Sequence, residues 1–209
     1  MERDNRKDKF RKALNVLLAI AVFGAWGRMV VSGEGTLAST GLSSLKYFTV
    51  LSNLLEGFAC LYWFAGKGAK GERLKFVAAV AVSITFLVVM AFLGPLYGYP
   101  FMFEGANLWF HLLVPVGAIL EQIFLSKGTF DRKDMLFAAL PVLFYGAGYL
   151  GNILMNGVGE WPDTNDWYSF MMWGYPGAAV IYGGLVLISL ALGLLFRKVR
   201  VKKWLKAES

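Results

Sequence analysis

Cysteine and histidine each occur only once in this sequence, as Cys60 and His111. A single cysteine excludes an internal disulfide and a cysteine-based metal cluster, and one histidine without a second such ligand is a poor basis for a metal site. Cys60 is therefore predicted to be a buried, inert thiol. We expect no metal ion and no other cofactor.

Charged residues are also scarce, at 17% of the 209 residues, whereas 57% are hydrophobic and 16% are aromatic. This composition is too apolar for a soluble domain of that length. A hydrocarbon core about 30 Å thick needs roughly 20 apolar residues per helix, and six stretches meet that requirement. They cover residues 13–32, 45–65, 75–96, 107–126, 135–156 and 177–196. The sequence predicts an all-α integral membrane protein, with one bundle of six transmembrane helices over residues 1–209.

Lysine and arginine give the chain a net charge of +7, but their positions argue against nucleic acid as a partner. Most of them lie in four clusters, at residues 3–12, 67–75, 127–133 and 197–206. Basic residues favour the cytoplasmic side of a membrane, so both termini and the loops after spans two and four are predicted to be cytoplasmic. The expected partners of this charge are anionic lipid headgroups of the cell membrane.

Polar residues in the second span share one helical face. Thr49, Ser52, Asn53 and Glu56 follow the spacing of a single stripe, which must face protein or trapped water. Helix packing is one explanation, because hydroxyls and amides join helices in membranes. Glu56 lies near mid-membrane and must be protonated or paired.

The predicted topology places one polar residue from each of four spans at the same depth in the outer leaflet. They are Arg28, Thr49, His111 and Asn152, each about four residues from the outer end of its span. The neutral imidazole of His111 is a natural base for a nearby hydroxyl. Arg28 either joins this layer or extends to the outer headgroups. Pro115 cannot donate a hydrogen bond to the His111 carbonyl, which predicts a bend beside the imidazole.

The longest external loop, residues 156–177, lacks lysine and arginine and is rich in aromatic residues. These are Trp161, Trp167, Tyr168, Trp173 and Tyr175. Tryptophan and tyrosine favour the headgroup layer, so the loop is interpreted either as an interfacial belt or as a lid over a lipid-facing pocket.

Several short motifs resemble the androgen-induced and androgen-dependent family of six-span membrane proteins. They are LKYFT at Leu45–Thr49, NLWFHLLVP at Asn107–Pro115, Glu121, and WGYP at Trp173–Pro176. Members of that family are threonine hydrolases that cleave fatty acid esters of hydroxy fatty acids. The chain resembles a bacterial-type member, although VLSN follows the threonine where the animal proteins carry an acidic residue.

The resemblance implies that Thr49 is the nucleophile and His111 the catalytic histidine. Asn107 and Pro115 match the residues that flank this histidine. The residues expected to support the site or to bind substrate are Arg28, Ser52, Asn53, Glu56, Asn107, Asn152 and Tyr175.

Three functional hypotheses follow. In the first, the protein is an intramembrane lipid esterase in which Asn53 or Asn152 stabilises the oxyanion and Arg28 holds a substrate carboxylate. In the second, it is a transporter or proton-coupled receptor without enzymatic activity, and Arg28, Glu56 and His111 form a relay. In the third, it is a structural or assembly subunit.

Overall fold

The computed structural model describes residues 2–31, 41–66, 68–127, 130–160 and 163–208, and describes side chains within residues 5–201. Over these ranges the chain is helical and contains no strand. The α-helices are α1 (Glu2–Val31), α2 (Phe48–Phe64), α3 (Gly68–Val88), α4 (Gly94–Tyr97), α5 (Tyr99–Met102), α6 (Ala106–Leu108), α7 (Val114–Leu120), α8 (Arg132–Asn156) and α9 (Gly174–Glu208). Short 3₁₀ helices cover Gly41–Lys46 and Phe170–Trp173, and π-helical turns cover Val89–Leu93, Trp109–Leu113 and Glu121–Leu125.

Five helical stretches are long and apolar enough to cross a membrane. They are Asn5–Val31, Gly68–Tyr97, Ala106–Leu125, Arg132–Asn156 and Phe170–Val201. Their number and length confirm the prediction of an all-α, multi-pass membrane protein.

The helix in the second predicted span is shorter than the sequence suggests. Residues Gly41–Lys46 form a 3₁₀ helix, so α2 starts only at Phe48 and contains 17 residues. At 1.5 Å per residue this helix is about 25 Å long, slightly less than the hydrocarbon core. The sixth span therefore stays a prediction, although α2 is an apolar helix.

Helix α3 occupies the centre of the bundle and packs against α2, α7, α8 and α9. Its fully buried residues include Ala78, Ala79 and Ala81, and such small side chains let neighbouring helices approach closely. Helix α1 packs against α2 at Gly57, where a Cβ atom would lie 2.9 Å from a methyl carbon of Val22.

A network of buried ion pairs joins the helices at one end of the bundle. The Nζ atom of Lys75 contacts Glu56 and lies 2.8 Å from Oε2 of Glu121. The Nε atom of Arg11 lies 2.9 Å from Oε1 of Glu121, and its Nη1 atom pairs with Glu72. Lys75, Glu56 and Glu121 have no solvent-exposed surface. The sequence predicts that Glu56 is either protonated or paired, and in the structure it is paired with Lys75.

The position of Lys75 differs from the one expected. The sequence groups Lys75 with the basic residues of a cytoplasmic loop, but α3 already begins at Gly68. Seven helical residues precede Lys75 and carry it about 10 Å into the helix, where it is buried. Gly68 and Gly71 therefore lie within α3, and of the nearby glycines Gly66 lies in the turn before it.

Two of the π-helical turns precede prolines. The turn Val89–Leu93 is followed by Pro95, and the turn Trp109–Leu113 is followed by Pro115. A proline lacks the N–H that continues the α-helical ladder, so the preceding turn can widen without losing a further hydrogen bond. The loosening expected before Pro115 is thus present as a widened turn that contains His111.

Candidate active site

Thr49 and His111 line the same small polar cavity. Thr49 is the second residue of α2, and His111 lies in the π-helical turn Trp109–Leu113. The cavity has a volume of about 30 Å³ and is also lined by Asn107 and Tyr168. A water molecule requires at least about 10–15 Å³ of such volume. The space therefore suits one water molecule or the carbonyl group of a substrate.

A backbone carbonyl fixes the orientation of the His111 ring. Nδ1 of His111 lies 2.7 Å from the carbonyl oxygen of Met102, and a carbonyl oxygen only accepts hydrogen bonds. Nδ1 therefore carries the hydrogen, and in the neutral ring the lone pair belongs to Nε2. His111 is 4% exposed, so packing also restricts the ring. His111 thus has the orienting partner that the base of a nucleophile–base pair requires.

The neighbours of Thr49 in the polar stripe hold its backbone. Ser52 Oγ donates to the Thr49 carbonyl at 3.1 Å and also hydrogen-bonds to Thr85 Oγ1 at 2.9 Å. Asn53 Nδ2 donates to the Thr49 carbonyl at 2.8 Å and to the Phe110 carbonyl at 3.0 Å. Asn53 therefore links the first turn of α2 directly to the residue that precedes His111. This link keeps the two candidate catalytic side chains at one level.

A larger, apolar cavity also borders Thr49. Its volume is about 390 Å³, within the usual range of small-molecule sites. Its walls come from α3, α8 and α9 and include Ile84, Val142 and Ala179. Thr49 and Tyr168 border both this apolar cavity and the polar one. Thr49 therefore lies at the junction of a polar and an apolar compartment.

The loop between α8 and α9 covers this junction. The hydroxyl oxygen of Tyr168 accepts a hydrogen bond from the Phe48 N–H at 2.9 Å, and the indole N–H of Trp167 donates to Tyr145. Burial raises the pKa of the Tyr168 phenol to about 12, which keeps it neutral at physiological pH. The described part of the loop thus acts as a cover over the cavities, whereas Trp161 lies outside the described residues.

Asp166 holds this cover in place. Its carboxylate accepts hydrogen bonds from the backbone N–H groups of Phe170 and Met171, each at 2.9 Å, and from the hydroxyl of Tyr149. These contacts cap the short 3₁₀ helix before α9 and attach the loop to α8. Ser169 lies between Asp166 and Phe170 and has a φ of 55°, a left-handed conformation that produces a sharp turn in the loop.

Other residues predicted for the site lie farther from the polar cavity. Arg28 is exposed on α1 and is not among the described residues that line the two cavities. Asn152 donates to Oδ1 of Asn165 at 2.9 Å and so anchors the covering loop. Tyr175 lines the apolar cavity and is 55% exposed. Glu56 belongs to the buried ion network described above and not to the polar cavity.

Sequence reasoning misses several residues around the site. Thr85 and Tyr145 both line the apolar cavity. Each carries a hydroxyl among mostly apolar neighbours in a predicted span, so its sequence context does not indicate a site. Asp166 looks like one acidic residue among several in an external loop. The signal available is position: Asp166 directly precedes the aromatic pair Trp167 and Tyr168, and it lies four residues before the 3₁₀ helix starts at Phe170.

Comparison of the chain with protein-family models, with curated proteins and with solved structures finds no significant match.

Proposed function

We propose that this protein is an intramembrane lipid esterase that hydrolyses fatty-acyl esters through Thr49. The observation that carries the proposal is the position of Thr49, which borders a polar cavity shared with His111 and an apolar cavity of about 390 Å³. An ester of a long-chain acid needs both compartments, one for the reacting carbonyl group and one for the hydrocarbon chain. The resemblance to hydrolases of fatty acid esters of hydroxy fatty acids supports the same substrate class.

The chemistry proceeds in two steps. In the first, Nε2 of His111 takes the hydroxyl proton of Thr49 while Oγ1 attacks the ester carbonyl carbon. The tetrahedral intermediate collapses to an acyl-threonine, and the leaving alcohol takes the proton from His111. In the second, water attacks the acyl-threonine while His111 accepts its proton. Collapse of this intermediate breaks the bond to Oγ1, Thr49 regains its proton, and the fatty acid leaves.

We further propose that α2 crosses most of the bilayer as a sixth span, with both termini in the cytoplasm of a cell whose plasma membrane holds the protein. The distribution of basic residues supports this orientation, which puts the two cavities in the outer leaflet. Single cysteines introduced at exposed loop positions into a Cys60→Ala background test it with an impermeant maleimide. Labelling of residue 127 in intact cells would contradict the orientation, because that loop is assigned to the inside.

A lipid-like fluorophosphonate tests the catalytic assignment. Purified protein in detergent is expected to form a covalent adduct, because the activated Thr49 oxygen displaces fluoride from phosphorus. Thr49→Val keeps the shape of the side chain but removes the hydroxyl, and should abolish the adduct. His111→Gln should slow its formation by about 10²-fold or more, within the usual range for loss of a general base. Undiminished labelling in both variants would refute the proposal.

Two adjacent glycines of α9 provide a matched test of the apolar cavity. Gly183 lines the cavity that reaches Thr49, whereas Gly184 lines a neighbouring apolar groove that does not. A Cβ atom at either position meets no atom within 4 Å, and leucine is a better helix former than glycine. Gly183→Leu should raise KM for a long-chain ester and spare a short-chain ester.

Gly184→Leu should change the KM of neither substrate. If Gly184→Leu impairs hydrolysis of the long-chain ester and Gly183→Leu does not, the hydrocarbon chain lies in the other groove. In that case the assignment of the cavity of about 390 Å³ to the acyl chain is wrong.

The buried ion network favours a second candidate, a proton-coupled transporter. Glu56, Lys75 and Glu121 are in contact inside the bundle, and Arg11 continues the network toward one end of the helices. A chain of ionisable groups within a membrane is a common feature of proton pathways. Proteoliposomes loaded with a pH-sensitive dye test this alternative. Proton uptake that Glu56→Gln abolishes and Thr49→Val leaves intact would support the transporter over the esterase.

A further inference from the structure

An ester hydrolase of this kind needs a hydrogen-bond donor beside the nucleophile. The carbonyl oxygen of the ester gains negative charge as Thr49 attacks, and stabilising that charge is commonly the largest single contribution to catalysis. The sequence suggests Asn53 or Asn152 for this role. The structure commits the amide groups of both asparagines to other contacts.

Asn53 has no hydrogen left to offer. Its Nδ2 group donates to the carbonyl oxygens of Thr49 and Phe110, and an amide nitrogen carries only two hydrogens. Asn152 donates to Asn165 outside the polar cavity. Removing Asn53 from its contacts would also break the link between α2 and the turn that contains His111.

Two further donors near the junction are also engaged. The Phe48 N–H, at the start of α2, donates to the hydroxyl of Tyr168. The indole N–H of Trp167 donates to the hydroxyl of Tyr145. Both bonds hold the covering loop in place, so neither donor is available unless the loop moves.

Asn107 differs from these groups. It lines the polar cavity together with Thr49 and His111, and it is 4% exposed. Its side-chain oxygen has no hydrogen-bond partner among the described residues, although buried polar groups in proteins are nearly always paired. Asn107 also precedes His111 by four residues, the spacing that places two side chains on one face of a helix.

We propose that the Asn107 carboxamide binds the carbonyl oxygen of the ester and stabilises the negative charge that develops on it. The inference rests on the proposed hydrolysis. No covalent bond to Asn107 forms or breaks. Its Nδ2 group only donates a hydrogen bond, which shortens as the carbonyl oxygen becomes an oxyanion. The unpaired atom of Asn107 is its oxygen, which cannot donate a hydrogen bond. A half-turn of the amide about its terminal torsion exchanges the oxygen and the nitrogen without disturbing the helix, and this puts Nδ2 in the unpaired position.

Steady-state hydrolysis of a long-chain p-nitrophenyl ester by the purified full-length protein tests this role. Asn107→Leu keeps the approximate shape of the side chain and removes its donor. We expect kcat to fall by about 10²–10³-fold, as for the loss of one oxyanion donor in other hydrolases. KM should change little, and inhibition by the matching ether, which has no carbonyl group, should be unaffected.

The variant Asn107→Asp separates a donor from a structural support. A carboxylate cannot donate, but a protonated carboxyl group can. The kcat of this variant relative to wild type should therefore rise as the pH is lowered from about 8 to about 5. Asn107→Leu should show no such rise, because its side chain does not titrate.

The outcomes distinguish failure of this inference from failure of the proposed function. If Thr49→Val abolishes hydrolysis while both Asn107 variants retain kcat within threefold of wild type, Asn107 is not the donor and the esterase stands. An equal loss in the binding of the ether would also overturn the inference, because it would indicate a collapsed cavity. If the wild-type protein neither hydrolyses the ester nor reacts with the fluorophosphonate, both proposals fail. Asn5→Ala, at an exposed asparagine of α1, controls for unspecific effects.

Discussion

Replacing Lys75 with methionine should strongly destabilise the protein. Lys75 contacts both Glu56 and Glu121, and none of the three residues has exposed surface. After the substitution Glu121 keeps Arg11 at 2.9 Å, whereas the polar contact left to Glu56 among the described residues is the Cys60 thiol at 3.6 Å. Removing one partner of a buried ion pair costs about 3–5 kcal/mol. That loss raises the unfolding equilibrium constant by about two to three and a half orders of magnitude.

Reversible unfolding in detergent micelles, followed by tryptophan fluorescence, measures this loss. The double variant Lys75→Met, Glu56→Gln removes the uncompensated charge and should recover most of the stability, giving a coupling free energy of about 2–3 kcal/mol. Lys70→Met, at an exposed position of α3, should stay within about 0.5 kcal/mol of wild type. A loss below about 1 kcal/mol for Lys75→Met, or no recovery in the double variant, would refute the reasoning that Glu56 is a buried charge neutralised by Lys75.

Three smaller effects are also expected. Gly57→Val should lower the free energy of unfolding by about 1–3 kcal/mol in the same assay, because a Cβ at this position would lie 2.9 Å from Val22 where α1 and α2 meet. An unchanged stability would contradict that close packing. The free energy of unfolding should fall between about pH 10 and about pH 12, because in this range the unfolded chain has released the Tyr168 proton and the folded chain still holds it. Tyr168→Phe should remove that part of the pH dependence. An unchanged slope in this variant would contradict the raised pKa of Tyr168. Asp166→Asn should speed proteolytic cleavage of the covering loop. The carboxylate accepts hydrogen bonds from Phe170 and Met171 with two different oxygen atoms, whereas an amide has only one acceptor atom. Equal cleavage rates would show that Asp166 does not anchor the loop.

The sequence is sufficient to predict the helical, multi-pass character of the chain, because long apolar stretches have few alternatives to membrane helices. It also predicts that Thr49 and His111 lie at one depth, and the structure places both beside one cavity. The depth argument works here because each helix rises by a fixed distance per residue. The catalytic roles of the two residues stay predictions.

Side-chain partners are harder to predict than depth. Nothing in the sequence pairs Lys75 with Glu56, since the two residues lie on different helices and their contact depends on how far α3 extends before Lys75. The start of α2 is misplaced for a similar reason, because nothing in the composition of residues 45–65 marks the change from 3₁₀ to α-helical winding between Lys46 and Phe48. Local composition does not encode such changes in winding.

The π-helical turn Trp109–Leu113 has a consequence for insertions and deletions. A π-helical turn holds one residue more than an α-helical turn, so deleting the exposed Leu113 would restore ordinary winding. Residues after the deletion would keep their packing, while those before it would turn by about 100° around the helix axis. His111 would then leave the cavity although its side chain had not been changed. In this segment a difference of one residue in chain length decides whether the imidazole of His111 borders the same cavity as Thr49.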